Sequence, residues 1–165
     1  MRTVVGVIDS GVDPLHPDLY LNVWINQKEI PAGLASDQDG DGLITFRDLN
    51  VKVSNVYVNA VSDVNGNGRI DADDILLLPA WANGIDNDSN GFTDDLFGWD
   101  FYSNDNRPFE SYDNTGTDAN PSDSYHGTHV SGTIGALANG SGAVGVSWDV
   151  QIMPLRFLGP AGAGG

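Results

Sequence analysis

An aspartate at position 9 and a histidine at position 126 are the residues of this chain best placed to do chemistry. Asp9 follows the apolar run Thr3-Val4-Val5-Gly6-Val7-Ile8 and opens the polar turn Asp9-Ser10-Gly11. His126 opens the segment His126-Gly127-Thr128-His129-Val130-Ser131-Gly132-Thr133. A carboxylate that grips one imidazole nitrogen fixes the tautomer and stabilises the imidazolium. The other nitrogen can then take the proton of a hydroxyl that is too weak a nucleophile by itself. Alone, an aspartate after a strand is ordinarily a turn former. Joined to the histidine segment, it supplies two of the three groups of a Ser/His/Asp acyl-transfer constellation. His126 and His129 also share a helical face, but no third metal ligand accompanies them.

The elements that must position these groups follow from the patterning. Residues 3–8 are continuously apolar and β-branched, as in a strand of a parallel sheet buried on both faces, which predicts Asp9 at the carboxyl end of a central strand. Residues 127–138 predict a helix whose small residues allow close approach to a neighbour, and residues 150–158 a second buried strand. Strand, crossover with a helix, strand is one βαβ unit of an α/β fold. Apolar residues concentrate in the two ends, so the core is expected there. One such unit leaves apolar strand surface bare, and the expectation is a truncated domain. The middle reads as loops, with helical patches at Phe46–Leu49 and residues 72–78, and residues 102–125 are expected to run over the surface.

The acidic middle has its own order. An EF-hand loop asks for oxygen ligands at positions 1, 3, 5, 9 and 12, glycine at 6 and a backbone carbonyl at 7. Asp37, Asp39, Asp41, Gly42, Leu43, Thr45 and Asp48 meet this in order, as do Asp63, Asn65, Asn67, Gly68, Arg69, Asp71 and Asp74. Ile44 and Ile70 fill the apolar position between them. Aspartate in place of glutamate at the last position shortens that ligand, which predicts weaker sites. Each loop is followed by a short helix with no obvious entering helix, so it resembles a dockerin repeat. A third loop offers Asp86, Asp88, Asn90 and the Phe92 carbonyl, but Phe97 stands at its twelfth position, so Asp94, Asp95 or water must close it. Ca²⁺ is the cofactor these oxygen sets call for.

The segments Val5-Gly6-Val7-Ile8-Asp9-Ser10-Gly11-Val12-Asp13, His16-Pro17-Asp18-Leu19 and His126 to Thr133 resemble the subtilisin-like serine proteases. That resemblance implies a partial three-layer α/β/α sandwich with a parallel sheet, Asp9 as the triad acid and His126 as the base. The third loop and the following Gly98-Trp99-Asp100-Phe101 look like a segment common in bacterial members. Residues 36–80 are then a calcium-loop insertion within an incomplete catalytic domain spanning residues 1–165. By the same resemblance Asp18, with Leu137, Asn139, Ser141 and Ala143, matches the family's strong calcium site. The family usually has glycine before the histidine, where this chain has Tyr125. Neither the Gly-Thr-Ser motif of the nucleophile nor the oxyanion-hole asparagine has a match, and Ser147 lacks the glycine of a nucleophile elbow. The expectation is an endopeptidase fragment that is inactive alone and, when complete, cleaves protein or peptide substrates as a monomer. The competing readings are a calcium-dependent, dockerin-like binding module and a catalytically dead relative; residues 162–164 are a candidate edge strand for substrate contact.

Composition narrows the partners. The net charge of −16, with seven Lys or Arg, argues against nucleic acid and anionic membrane. Of 23 acids only Glu29 and Glu110 are glutamate, a bias towards short carboxylates in Gly/Asn-rich loops. With no cysteine, disulfides and thiolate sites are excluded. No apolar run approaches the ~20 residues of a membrane span, and the N-terminus lacks the roughly 7 to 15 apolar residues of a signal peptide. The calcium loops and the family resemblance favour a secreted or cell-surface setting.

Overall fold

The computed structural model describes residues 2–109 and 125–159; residues 110–124 of the surface stretch expected at 102–125, and the candidate contact at 162–164, lie outside them. Strand β1 (Thr3–Asp9) pairs in parallel along its whole length with β5 (Val150–Arg156), Thr3 opposite Val150 and Asp9 opposite Arg156. Short β4 (Trp99–Asp100) adds in parallel on the other side of β5, giving the order β1-β5-β4. Helix α3 (His126–Gly135) lies on one face of this sheet, where Val130 and Ile134 pack on Val5, Val7, Val150 and Ile152. This is a mixed α/β fold with a parallel sheet, as the sequence pattern requires.

Two expectations change. In the described sheet β1 is an edge strand and β5 the central one. Strand β1 accordingly alternates: Val7 and Asp9 are buried towards α3, while Val4 and Ile8 point the other way and are 43% and 69% exposed. Among the described residues no second helical layer covers that face.

The larger apolar cluster also sits in the middle of the chain and not at its ends. Val23, Ile25, Phe46, Leu49, Ile70, Ile75, Trp81, Leu96 and Phe97 are buried together there. Helices α1 (Phe46–Leu49) and α2 (Ala72–Leu76) are far too short to hold by themselves. Each is fixed by a capping box, Thr45 with Asp48 and Asp71 with Asp74, and by one apolar side turned into this cluster. A small hairpin, β2 (Lys52–Val53) and β3 (Val56–Tyr57), joins the two loop-helix units.

Gly98 shows how closely the middle meets the sheet. Its φ is +112°, and a Cβ there would collide with the Pro154 carbonyl of β5. Gly98→Ala therefore combines a left-handed backbone with overpacking, and is expected to cost about 3 kcal/mol or more. Thermal melting of the variant beside the parent checks this.

Candidate active site and acidic loops

The turn after β1 and the first turn of α3 are interlocked. His126 Nδ1 lies 2.7 Å from Asp9 Oδ1 and 2.9 Å from Oδ2. Asp9 is buried, and its Oδ1 accepts the Ser10 amide at 2.7 Å. Its carbonyl accepts the amides of Phe157 and Leu158, which pins the strand end to the chain leaving β5. On the helix side the Gly127 amide donates to Ser10 Oγ at 3.1 Å, and Thr128 Oγ1 accepts the Asp13 amide at 2.7 Å. Gly127 is required for this approach, because a Cβ there would overlap the Gly11 carbonyl. Asp9 thus addresses Nδ1 and leaves Nε2 as the nitrogen free to act as base. The His126 side chain is 72% exposed, so its outer edge is open to an incoming group.

Tyr125 precedes the helix with φ −117° and ψ 1°, a negative-φ conformation near the bridge region that does not require glycine. His129 is exposed on α3 and stands apart from the metal-competent clusters of the described residues, and His16 Nδ1 accepts the Asp18 amide within its own turn.

These contacts join two segments 117 residues apart in the arrangement that the acid and base motifs require. The chain belongs to the subtilase family. A sequence profile described as "Subtilase family" matches residues 2–165. The chain is 31% identical over 159 residues to the subtilisin-like protease 1 of Plasmodium falciparum, covering 96% of itself and 14% of that protein. It is 32% identical over 157 residues to the Plasmodium vivax protein of the same name, covering 94% and 15%. A shorter stretch of 42 residues is 43% identical to an extracellular protease of Xanthomonas campestris pv. campestris, covering 25% of this chain and 7% of that one. The chain therefore spans only about one seventh of the length of the Plasmodium relatives, at 14% and 15%.

The subtilase carries its acidic residues in repeated wiring. In the first loop Asp37 accepts the Gly40 and Gly42 amides at 2.6 and 2.8 Å, and in the second Asp63 accepts those of Gly66 and Gly68 at 2.7 and 2.8 Å. The closing residues match too: Asp48 accepts the Gln38 amide and Asp74 the Val64 amide, each at 2.7 Å, while each also caps its helix. Asp37, Asp39 and Asp48 offer oxygens within 4.8 Å of one another. Asp41 and Asp39 meet the Arg2 guanidinium at 3.2 and 3.3 Å, and Thr45 is buried at the helix cap. Leu43 donates its amide to Asp41 at 2.9 Å. In the second loop Asn65 and Asn67 both donate to Asp71, and the Arg69 side chain bridges Asp71 and the Leu15 carbonyl.

In the third loop Asp86 accepts the Asn90 and Gly91 amides, Asp88 accepts the Asn90 amide, and the Phe92 amide donates to Asn90. Asp94 is turned to the amides of Asn83 and Gly84, and Asp95 accepts the side chains of Asn26 and Asn90. Burial pushes the Asp71 and Asp95 carboxyls above the usual range, as it does Glu29. Asp37 is held below it by the loop amides, that of Gly42 foremost. Near the N-terminal turn, Asp18 accepts the Asn139 side chain at 2.7 Å and the Leu137 amide on its carbonyl; Ser141 donates to Asn139, and Ala143 is exposed beside them. Oxygen donors are the rule in every one of these clusters, which fits Ca²⁺ over a softer ion.

Sequence reading gave Gly127 as one of the small residues that allow close approach but assigned no locking role to Ser10 or Thr128, and it missed the pair of buried Asp100 with partly buried Arg156 at 2.9 Å across β4 and β5. The small residues after Asp9 and His126 were the available signal for the first three.

Proposed function

We propose that the whole protein is a serine endopeptidase in which Asp9 holds His126 and a serine supplied by the rest of the protein attacks the substrate carbonyl. The observation that carries this reading is the Asp9–His126 contact of 2.7 Å, formed on the nitrogen that leaves Nε2 facing outward. In the reaction His126 Nε2 takes the serine proton as Oγ attacks, and returns it to the leaving amine. Asp9 keeps Nδ1–H fixed and stabilises the transient imidazolium. Protein or peptide is the substrate, and the chain by itself, holding only acid and base, is expected to turn over nothing.

Residues 36–80 are read as a calcium-loop insertion. Its ligands are Asp37, Asp39, Asp41, Leu43, Thr45 and Asp48 in one loop, and Asp63, Asn65, Asn67, Arg69, Asp71 and Asp74 in the next. The shared amide wiring of the two loops supports treating them as equivalents. Bound calcium would supply charge neutralisation and loop order. An extracellular setting is supported by calcium supply and by the name of the Xanthomonas relative.

The test is Asp9→Asn in the whole protein, assayed on a peptide substrate. The neutral amide keeps the shape but permits the wrong tautomer, so kcat is expected to fall about 10⁴-fold. A variant that keeps more than about a tenth of the parental rate would sink the triad reading.

A further inference from the structure

Across the sheet from the triad acid lies a buried ion pair that the proton transfers described above do not use. Asp100 of β4 is 1% exposed, and its Oδ2 accepts Nη1 of Arg156 on β5 at 2.9 Å. In the register of the sheet Asp9, Arg156 and Asp100 form one row across β1, β5 and β4. A buried ion pair is weak support for stability, because desolvation offsets the attraction, so its place in this row calls for another reason.

We propose that Asp100 and Arg156 are positioning residues for the triad acid: they fix the chain leaving β5, and that chain holds Asp9 in line with His126. Each link is a contact. Asp100 Oδ1 accepts the amides of Tyr102 and Ser103 at 2.8 and 2.9 Å, and the Asp100 backbone exchanges hydrogen bonds with Asp105, which closes the turn after β4. The Phe101 amide donates to the Arg156 carbonyl at 2.7 Å, tying this turn to the end of β5. The Arg156 guanidinium stands 5.6 Å from the centre of the Tyr102 ring, and that ring lies against Gly159, where a Cβ would overlap it. Residues 157–159 are thus held from one side by the ion pair and the tyrosine. On the other side the Phe157 and Leu158 amides donate to the Asp9 carbonyl at 2.9 and 3.2 Å, and the carboxylate of the same Asp9 meets His126 Nδ1 at 2.7 Å.

The tolerance at that last contact is small, since a misplacement of about 1 Å can cost about 10²-fold in rate. Arg156 is the cation of a row in which carboxylates stand on both neighbouring strands, and its Nε is buried with no hydrogen-bond partner among the described residues. Its bond to Asp100 runs through Nη1, so a point charge of similar reach, as lysine offers, would serve the same anchor.

This inference rests on the triad reading, and the experiment separates the two. In the whole protein, kcat and KM on a peptide substrate and the melting temperature are measured for Arg156→Met, Arg156→Lys, the pair Asp100→Asn/Arg156→Met, Asp9→Asn, and Arg156→Met combined with Asp9→Asn. Methionine keeps the apolar stem without the charge. Asparagine keeps an acceptor for the Tyr102 and Ser103 amides, so the paired variant leaves no buried charge unmatched. Arg156→Met is expected to lower kcat roughly 10- to 100-fold with KM changed little. The paired variant should melt close to the parent yet show the same loss in kcat, and Arg156→Lys should return most of the rate. In the Asp9→Asn background Arg156→Met should cost almost nothing more, because the pair acts through Asp9. A folded paired variant with parental kcat, or a full further loss on top of Asp9→Asn, overturns the positioning role and leaves the triad standing; a parental rate with Asp9→Asn overturns the triad reading itself. Should the methionine variants not fold, Asp100→Asn alone takes their place, and parental kcat there overturns the assignment.

Discussion

His126→Ala in the whole protein is expected to lower kcat by about 10⁶-fold, with KM changed little, because the ring makes its contribution only as the proton moves. The melting temperature should hardly move. The side chain is 72% exposed, and the α3 turn it stands on is held by the amides and hydroxyls of Ser10, Gly127, Asp13 and Thr128. Surface substitutions of that kind usually stay within about 0.5 kcal/mol. Adding Asp9→Asn to His126→Ala should cost almost nothing more, since the Asp9 carboxylate acts through the imidazole and has no other route to the substrate. Rates multiplying, so that the double variant loses the product of the two single effects, would mean that Asp9 and His126 act independently and that their 2.7 Å contact is only structural. An ordinary rate with His126→Ala would end the proteolytic reading itself.

The parts of this site that were legible in sequence are those whose signal is local. Asp9 terminates an apolar run and His126 begins a helix rich in small residues, and each stands where the sequence places it. The turns of the acidic loops are local in the same way: Gly42 and Gly68, at the sixth position of each, take positive φ at 89° and 92°, and Gly40 and Gly66 two residues earlier do so at 76° and 75°. What stayed hidden depends on contacts distant in sequence. Val23, Ile25, Phe46, Leu49, Ile70, Ile75, Leu96 and Phe97 come from short apolar stretches separated by long polar loops, so no window shows the periodicity of a core, yet they converge to form the larger cluster. Glu29 sits in a segment with no motif, and only the turn at Asn26 brings it to Asp88. The exposure of Ile8 was also unreadable, because an apolar run records which faces can be buried, not which neighbours cover them.

Withdrawal of calcium from the whole protein should be the largest perturbation of stability. Loop 1 gathers Asp37, Asp39 and Asp48 within 4.8 Å, and directly beneath it Phe46 and Leu49 enter the central cluster on a helix of four residues. Asp74 ties loop 2 to α2 in the same way, beside Ile75. Mutual repulsion of unneutralised carboxylates would thus be transmitted straight to the core. A site saturated to a hundred times its dissociation constant contributes about 2.7 kcal/mol, so three sites approach about 8 kcal/mol, within the range of a domain's entire stability. At the roughly 2–4 °C per kcal/mol of a domain of 150–250 residues, the melting temperature should fall by roughly 20 °C on adding chelator. Magnesium should restore little, since it dehydrates reluctantly and wants an octahedral site. Sodium chloride at equal ionic strength should restore little as well, because screening weakens repulsion between exposed charges without placing a divalent cation against the buried Asp48 and Asp74. Coincident melting curves in calcium and chelator would remove the loops from the stability of the fold, while full rescue by salt would reduce their effect to net charge.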